Sequence, residues 1–386
     1  DMLKVLSIMP RLKVFRLFVV WAGGVLPGGV EAQDAAVPTM DEIIAAARQR
    51  QAAVSSGKFE WTVKRWLRKG IRGDASLLGG ESGHPNPPED MDFSAVRMLI
   101  FSGANVRYES FGPEWNAEKK AYTPFRLTTT WDGNMSKRFE DPEGFWNGRI
   151  QNKPWFVYLT TFEPLSWTYR MLDEDWARLA ISDFSVRPTL EDVGGEACIV
   201  VERSRPSRAT PDEPMVDRMW LSRERGYLVR RYESGRGTWV GTRIDIEYEN
   251  SPEGIPVPIR WTKVQGLRSD PPPGEISDCE LTKYELNIPF DSATFELTFP
   301  PTTWVQEQGV AEPYIVHEDG LHRPITKAEL RRGATYADLL VTASGQAKLT
   351  PLKTSPYVWL FWTVQAVLAA AILCYLYRKR CRRDSN

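Results

Sequence analysis

The sequence predicts an α+β fold, mainly antiparallel β: one curved sheet with helices against one face, followed by a C-terminal transmembrane helix. Three observations carry that expectation. Apolar–polar alternations of strand length recur between Phe59 and Trp261. Two helical stretches interrupt them, one opening the region and one near its middle. Near the end, the 21 residues from Tyr357 to Tyr377 carry no charge, and a basic tail follows them.

Taken in chain order, Lys4, Arg11, Lys13 and Arg16 precede a short apolar run, Leu17 to Val25, and a small-residue stretch ending at Ala32. A basic, an apolar and a small-residue region in that order read as a signal peptide over residues 1–32. The next region, 33–307, opens with Thr39-Met-Asp-Glu42, where a hydroxyl and a carboxylate three residues apart can cap each other's amides. The good helix formers that follow run to a stop at Gly57. Phe59, Trp61 and Val63 then alternate with polar neighbours, and Arg97 to Phe101 and Val106 to Tyr108 are two further short strands. Leu127 to Trp131 and Met135 to Phe139 flank Asp132-Gly133-Asn134, a tight-turn signal. A second helix is expected over Trp167 to Leu179. Met219 to Ser222 and Tyr227 to Tyr232 form another strand pair around Arg223-Glu-Arg-Gly226.

The cleanest alternation is Val240 to Glu249. Val240, Thr242, Ile244, Ile246 and Tyr248 share one face, and charged residues dominate the other. Period two over ten residues predicts an antiparallel strand with one wet face. Ile255 to Trp261 is its hairpin partner. Residues 308–356 lose sustained periodicity and read as a juxtamembrane module or stalk. A helix rising ~1.5 Å per residue spans a ~30 Å hydrocarbon core in about 20 residues, so 357–377 is long enough to cross. Arg378 to Arg383 then place five positive charges in six residues, marking 378–386 as a cytoplasmic tail. A buried core helix would not carry such a cluster behind it. The expected topology is a single pass through the cytoplasmic (inner) membrane, with the ectodomain in the periplasm.

Charge narrows the partners. Between the two terminal segments lie 40 basic and 47 acidic residues, a charge of −7, which argues against nucleic acid. Of the four cysteines, Cys374 and Cys381 fall in the span and tail, leaving Cys198 and Cys279 as a possible disulfide. Both also suit buried small hydrophobes in strands. No phosphate-cradling glycine loop occurs, and Gly79 to Gly83 fails the nucleophile-elbow spacing. His84, His317 and His322 are too sparse for a zinc pattern, so no metal and no cofactor are expected. Asp173, Glu174 and Asp175 read as a solvated acidic run at a helix start. No catalytic residues are assigned. The chain is rich in aromatics, with 15 Trp, 13 Tyr and 16 Phe. Sheet packing accounts for them, and so does a concave apolar face that binds a hydrophobic ligand. On the second reading the lining is Val240, Ile244, Ile246, Tyr248 and Trp261.

The series MDEIIAAARQRQAAVSSGKFEWTV, the Trp-Asp-Gly hairpin at 131–133, WLSRERGYLVRRYE, IPVPIRWTKVQ and the closing ELNIPFDSATFELTFPPTTWV at 285–305 resembles bacterial proteins with the outer-membrane lipoprotein-sorting (LolA/LolB-like) fold. That group includes the periplasmic sensor RseB. The resemblance covers roughly 39–307. It implies an unclosed antiparallel β-barrel whose helices cover a hydrophobic cavity, a non-enzymatic role, and a lipid or lipoprotein ligand. A C-terminal span departs from the soluble carriers of that group, because an anchored chain cannot shuttle between membranes. The expectation is therefore tethered lipid handling, or an envelope sensor or scaffold acting through a protein partner.

Overall fold

The computed structural model describes residues 37–69, 89–116, 121–142, 146–154, 162–173, 180–206, 212–237, 239–267 and 273–343. The expected signal peptide, transmembrane helix and basic tail lie outside the described residues, as does 344–356. Among the described residues no helix is long and apolar enough to cross a membrane.

The first helix, α1 (Met40–Ala53), begins where its capping box requires. Thr39 Oγ1 accepts from the Glu42 amide at 3.3 Å, and Glu42 Oε2 accepts from the Thr39 amide at 2.7 Å. Both amides would otherwise be left without an intrahelical partner. Ile43 and Ala47, four residues apart, are its buried stripe.

Strand β1 (Ser56–Leu67) is the hub of the sheet. It pairs antiparallel with β2 (Met91–Ser102) on one side and with β13 (Glu275–Leu286) on the other. From β2 a meander runs through β3 (Asn105–Asn116), β4 (Ala121–Trp131), β5 (Ser136–Pro142) and β6 (Asn147–Gln151). From β13 the sheet continues through β12 (Pro256–Leu267), β11 (Trp239–Asn250), β10 (Leu228–Arg236), β9 (Met215–Ser222) and β8 (Glu196–Arg205) to β7 (Ser185–Val193). On the far side β14 (Trp304–Glu307) adds to β6 in parallel, followed by β15 (Tyr314–Val316) and β16 (His322–Pro324). The result is one 16-stranded sheet whose free edges are β16 and β7, so the sheet does not close.

The core shows that the sheet curls. Leu127 of β4 and Val201 of β8 belong to one buried cluster, together with residues of α1 and of α2 (Glu163–Tyr169). In a flat sheet β4 and β8, nine strand spacings apart, would be separated by about 43 Å. They share a core only because the sheet wraps around it, which makes the helix-bearing face concave. The opposite face is convex, and cross-strand charge pairs line part of it, with Arg218 Nε 2.6 Å from Glu202 and Arg231 Nε 2.6 Å from Asp245.

The strand order, which sets β14 beyond β6 and far from β13, explains the long connection between them. It crosses the convex face, where Arg107 Nη1 donates to Thr294 O at 3.1 Å and Lys137 Nζ to Leu297 O at 3.4 Å. Phe299 packs so closely over β6 that a Cβ on Gly148 would lie 2.9 Å from its ring. The sheet continues past Glu307 into β15 and β16, and α3 (Lys327–Arg331) and α4 (Tyr336–Ala343) follow. Ile315, Ile325 and Leu339 form their own buried cluster there, so 308–343 packs as an extension of the sheet.

Two expectations are corrected. The second helix is Glu163–Tyr169, earlier and shorter than Trp167–Leu179, with residues 174–179 outside the described region. Pro164 fits the first helical turn, where no amide is needed, and the chain leaves helical geometry at Arg170 (φ −142). The disulfide is not formed: Cys198 and Cys279 are free and buried. Cys198 belongs to a convex-face cluster with Val200 and Trp220, while Cys279 belongs to the concave core. Their strands are five spacings apart, about 24 Å along the sheet, against a Cα separation of at most ~7 Å for a disulfide.

Candidate functional site

The hairpin β11–β12 puts most of the expected lining on the concave face. Ile246 and Trp261 are direct cross-strand partners, and Ile244 follows two residues along. Ile244, Ile246, Tyr248 and Trp261 are all buried in the main core, whereas Val240 is half-buried beside Leu267 at the far end of β11. The structure therefore brings four of the five together and leaves Val240 outside the cluster.

Aromatic rings fill the concavity from both sides. Trp61 lies 5.9 Å from Trp261 and 6.2 Å from Tyr108, ring centre to ring centre. From the helical side Tyr169 stacks on Phe59 at 5.3 Å and Trp167 meets Tyr232 at 5.0 Å. These rings bury large apolar areas and favour tilted contacts of this kind. One polar atom within the stack is unmatched: Trp61 Nε1 is buried and has no hydrogen-bond partner. A buried donor left so costs about 1–3 kcal/mol.

The two helices cap this face and are bonded to each other and to the sheet. Arg170, buried beneath α1, donates to Val54 O at 2.9 Å and Ser55 O at 3.2 Å, while its guanidinium lies 4.4 Å over the Phe101 ring. Tyr169 OH donates to Pro256 O at 2.9 Å. Tyr248 OH donates to Val229 O at 3.1 Å and lies 3.3 Å from Thr168 Oγ1. Burial pushes the Tyr248 hydroxyl up to about 12, so it remains a donor at neutral pH. Arg50 reaches from α1 to the carbonyl of Gly226 in the β9–β10 turn.

Beside the cap opens a groove of about 1020 Å³. Gln51 and Ser55 at the end of α1, Arg170, Leu172 and Asp173 after α2, the β2–β3 turn, Trp131 and the segment Asn287–Pro289 line it. Gln51 Nε2 donates to Asp173 Oδ1 at 2.7 Å, and Arg170 Nε lies 3.7 Å from Asp173 Oδ2. Asn287, with φ +54, takes the Ser55 amide at 2.9 Å and gives to Ala53 O at 2.9 Å, which fixes the α1–β1 corner. No motif marks these residues. They come from five separated parts of the chain, and only the left-handed preference of Asn at a corner hints at one of them.

Among the described residues, no three His, Cys, Asp or Glu side chains are placed to hold a metal ion. Asp173 is engaged by Gln51 and Arg170, and Glu174 and Asp175 lie outside the described region.

No family model matches the chain, and no curated protein does. Among solved structures, the chain is similar to a DUF1329 family protein from Desulfovibrio piger at 12% identity, over 68% of this chain and 98% of that one, with a TM-score of 0.40. It is also similar to a LolA superfamily protein from Nitrosomonas europaea at 10% identity, over 67% of this chain and 98% of that one, with a TM-score of 0.37. The layout of this chain, an unclosed antiparallel sheet with helices on its concave face, is the one that a LolA/LolB-like fold implies.

Proposed function

We propose that this chain is a non-enzymatic, extracytoplasmic domain that takes a lipid or lipidated ligand between its concave face and the α1–α2 cap. On this reading Tyr357–Tyr377 anchors it to the inner membrane. One observation carries the proposal: a wide apolar concave face is closed off by two short helices, of 14 and 7 residues, beside an open groove. Polar bonds hold the cap at its rim, through Arg50, Arg170 and Tyr169. Such bonds exchange with water at a net cost of only about 0.5–1.5 kcal/mol each, so acyl chains that replace the helix contacts can offset their loss. Ile244, Ile246, Tyr248 and Trp261 then meet the ligand. A second reading, recognition of an envelope protein, is favoured by Val96 and Phe111. These are cross-strand partners on the convex face, 53% and 58% exposed.

Photolabelling tests the choice. The full-length protein is placed in phospholipid nanodiscs that contain a fatty-acyl lipid with a photoactivatable group at its chain end, and labelled peptides are mapped. Label on β11, β12 and α2 supports ligand binding. Label confined to 357–377, with a protein recovered on the Val96–Phe111 face, rejects it in favour of the second reading.

A further inference from the structure

We propose that the groove beside the cap selects the uncharged, hydrogen-bonding headgroup of an acylglycerol, and rejects fatty-acid and phosphate anions. The inference rests on the reading above, since the acyl chain is taken to lie under the helices.

The charge of the groove carries the argument. Its cation, Arg170, is 4% exposed and turned inward, donating to the carbonyls of Val54, Ser55 and Tyr169. Its anion, Asp173, has a side chain 36% exposed and stands at the groove. An arriving carboxylate or phosphate would meet the negative member of the pair first, with the positive member already committed to backbone oxygens. Like charges at close range in a partly desolvated site repel, so an anionic head is disfavoured.

Hydrogen-bonding capacity points the same way. Gln51 lines the groove; its Oε1 is buried just behind that wall with no hydrogen-bond partner, while the other end of its amide is held by Asp173. The vacant acceptor needs a donor, and a carboxylate or a phosphate diester offers none. A glycerol hydroxyl or an amide N–H does. The remaining wall mixes the Ser102 turn with the apolar Leu172 and Ile288, which suits a compact polar head attached to a chain.

The test uses the full-length protein in phosphatidylcholine nanodiscs with two photoactivatable probes of equal acyl length, a 1-monoacylglycerol and the corresponding fatty acid. The wild-type protein should be labelled by the monoacylglycerol in preference to the fatty acid by roughly tenfold. Gln51→Met keeps the side-chain length and removes the acceptor together with the donor to Asp173, which stays paired with Arg170. Loss of the acceptor should lower the preference by about 3–10-fold, the worth of one hydrogen bond. A ratio of the two labels is unaffected by a simple loss of folded protein. Equal labelling by both probes on the concave face, or preference for the fatty acid, overturns the headgroup inference and leaves the binding reading standing. So does a ratio unchanged in Gln51→Met. Absence of concave-face label from either probe overturns both.

Discussion

Asp217 has no exposed surface, yet it is a carboxylate on the concave side of β9. Burial alone would raise its pKa. Arg203 at 2.9 Å, Arg205 at 3.0 Å and the Tyr232 hydroxyl at 2.9 Å outweigh burial and hold it below the ordinary 3.8. A depressed carboxyl stabilises the fold above its unfolded pKa, and that stabilisation is lost as pH falls through the lower folded value. Asp217→Asn takes one carboxylate from Arg203, which keeps Asp183 at 3.1 Å, and from the half-exposed Arg205, and should cost about 1–3 kcal/mol in denaturant unfolding near neutral pH. The loss of stability below about pH 4 should be shallower in that variant than in the wild type. The cysteines allow a second check at this scale. Burial is the first cause that pushes Cys198 up to about 11 and Cys279 up to about 12. Neither should react with a thiol reagent at pH 8 until the domain unfolds, and reducing agent should leave its melting temperature unchanged. A shift on reduction would mean that the two do pair.

Elements differ in how plainly the sequence announces them, and the reason is physical. Helix α1 is legible because Thr39 and Glu42 must face each other for the box to close, and β11 is legible because one of its faces is wet. All seven residues of α2 are buried, including Ser166 and Thr168, so no polar stripe sets its period and its boundaries are misplaced. β7 is missed for the opposite reason: seven of its nine residues are exposed, Ser185 and all of Arg187 to Asp192, and Pro188 and a register break blunt it as an edge. The cap itself depends on Arg170, which no sequence pattern distinguishes from other arginines. Replacing it by Met removes the donors to Val54 O and Ser55 O and should loosen α1 and α2 by about 1–3 kcal/mol. Hydrogen exchange should then quicken in both helices and leave β1 and β13 protected. Uniform loss of protection would show instead that the helices are integral to the core and cannot act as a cap.

At the scale of the molecule, hairpins were readable because neighbouring strands share a turn, but β1 with β13 and β6 with β14 were not. Those pairings join residues more than 150 positions apart in sequence, and local alternation carries no information about a distant partner. The domain boundary expected at 307 suffers from the same limit. Three-residue strands such as β15 are too short to show a period, so 308–343 reads only as a juxtamembrane module or stalk, with no sign that its strands pair with the sheet. Its burial decides what a truncation does. Ile315, Val316, Ile325 and Leu339 are all nearly buried, and each apolar side chain of that size contributes about 1.5–3 kcal/mol when fully removed from water. A chain ended after Glu307 would lose this cluster entirely and would uncover Phe139 and Phe299, against which Tyr314 and Val316 pack. It would also turn four-residue β14 into an unprotected edge. Ending after Ala343 leaves both clusters whole. The shorter chain should therefore melt well below the longer one or aggregate, and equal melting temperatures would restore the boundary at 307.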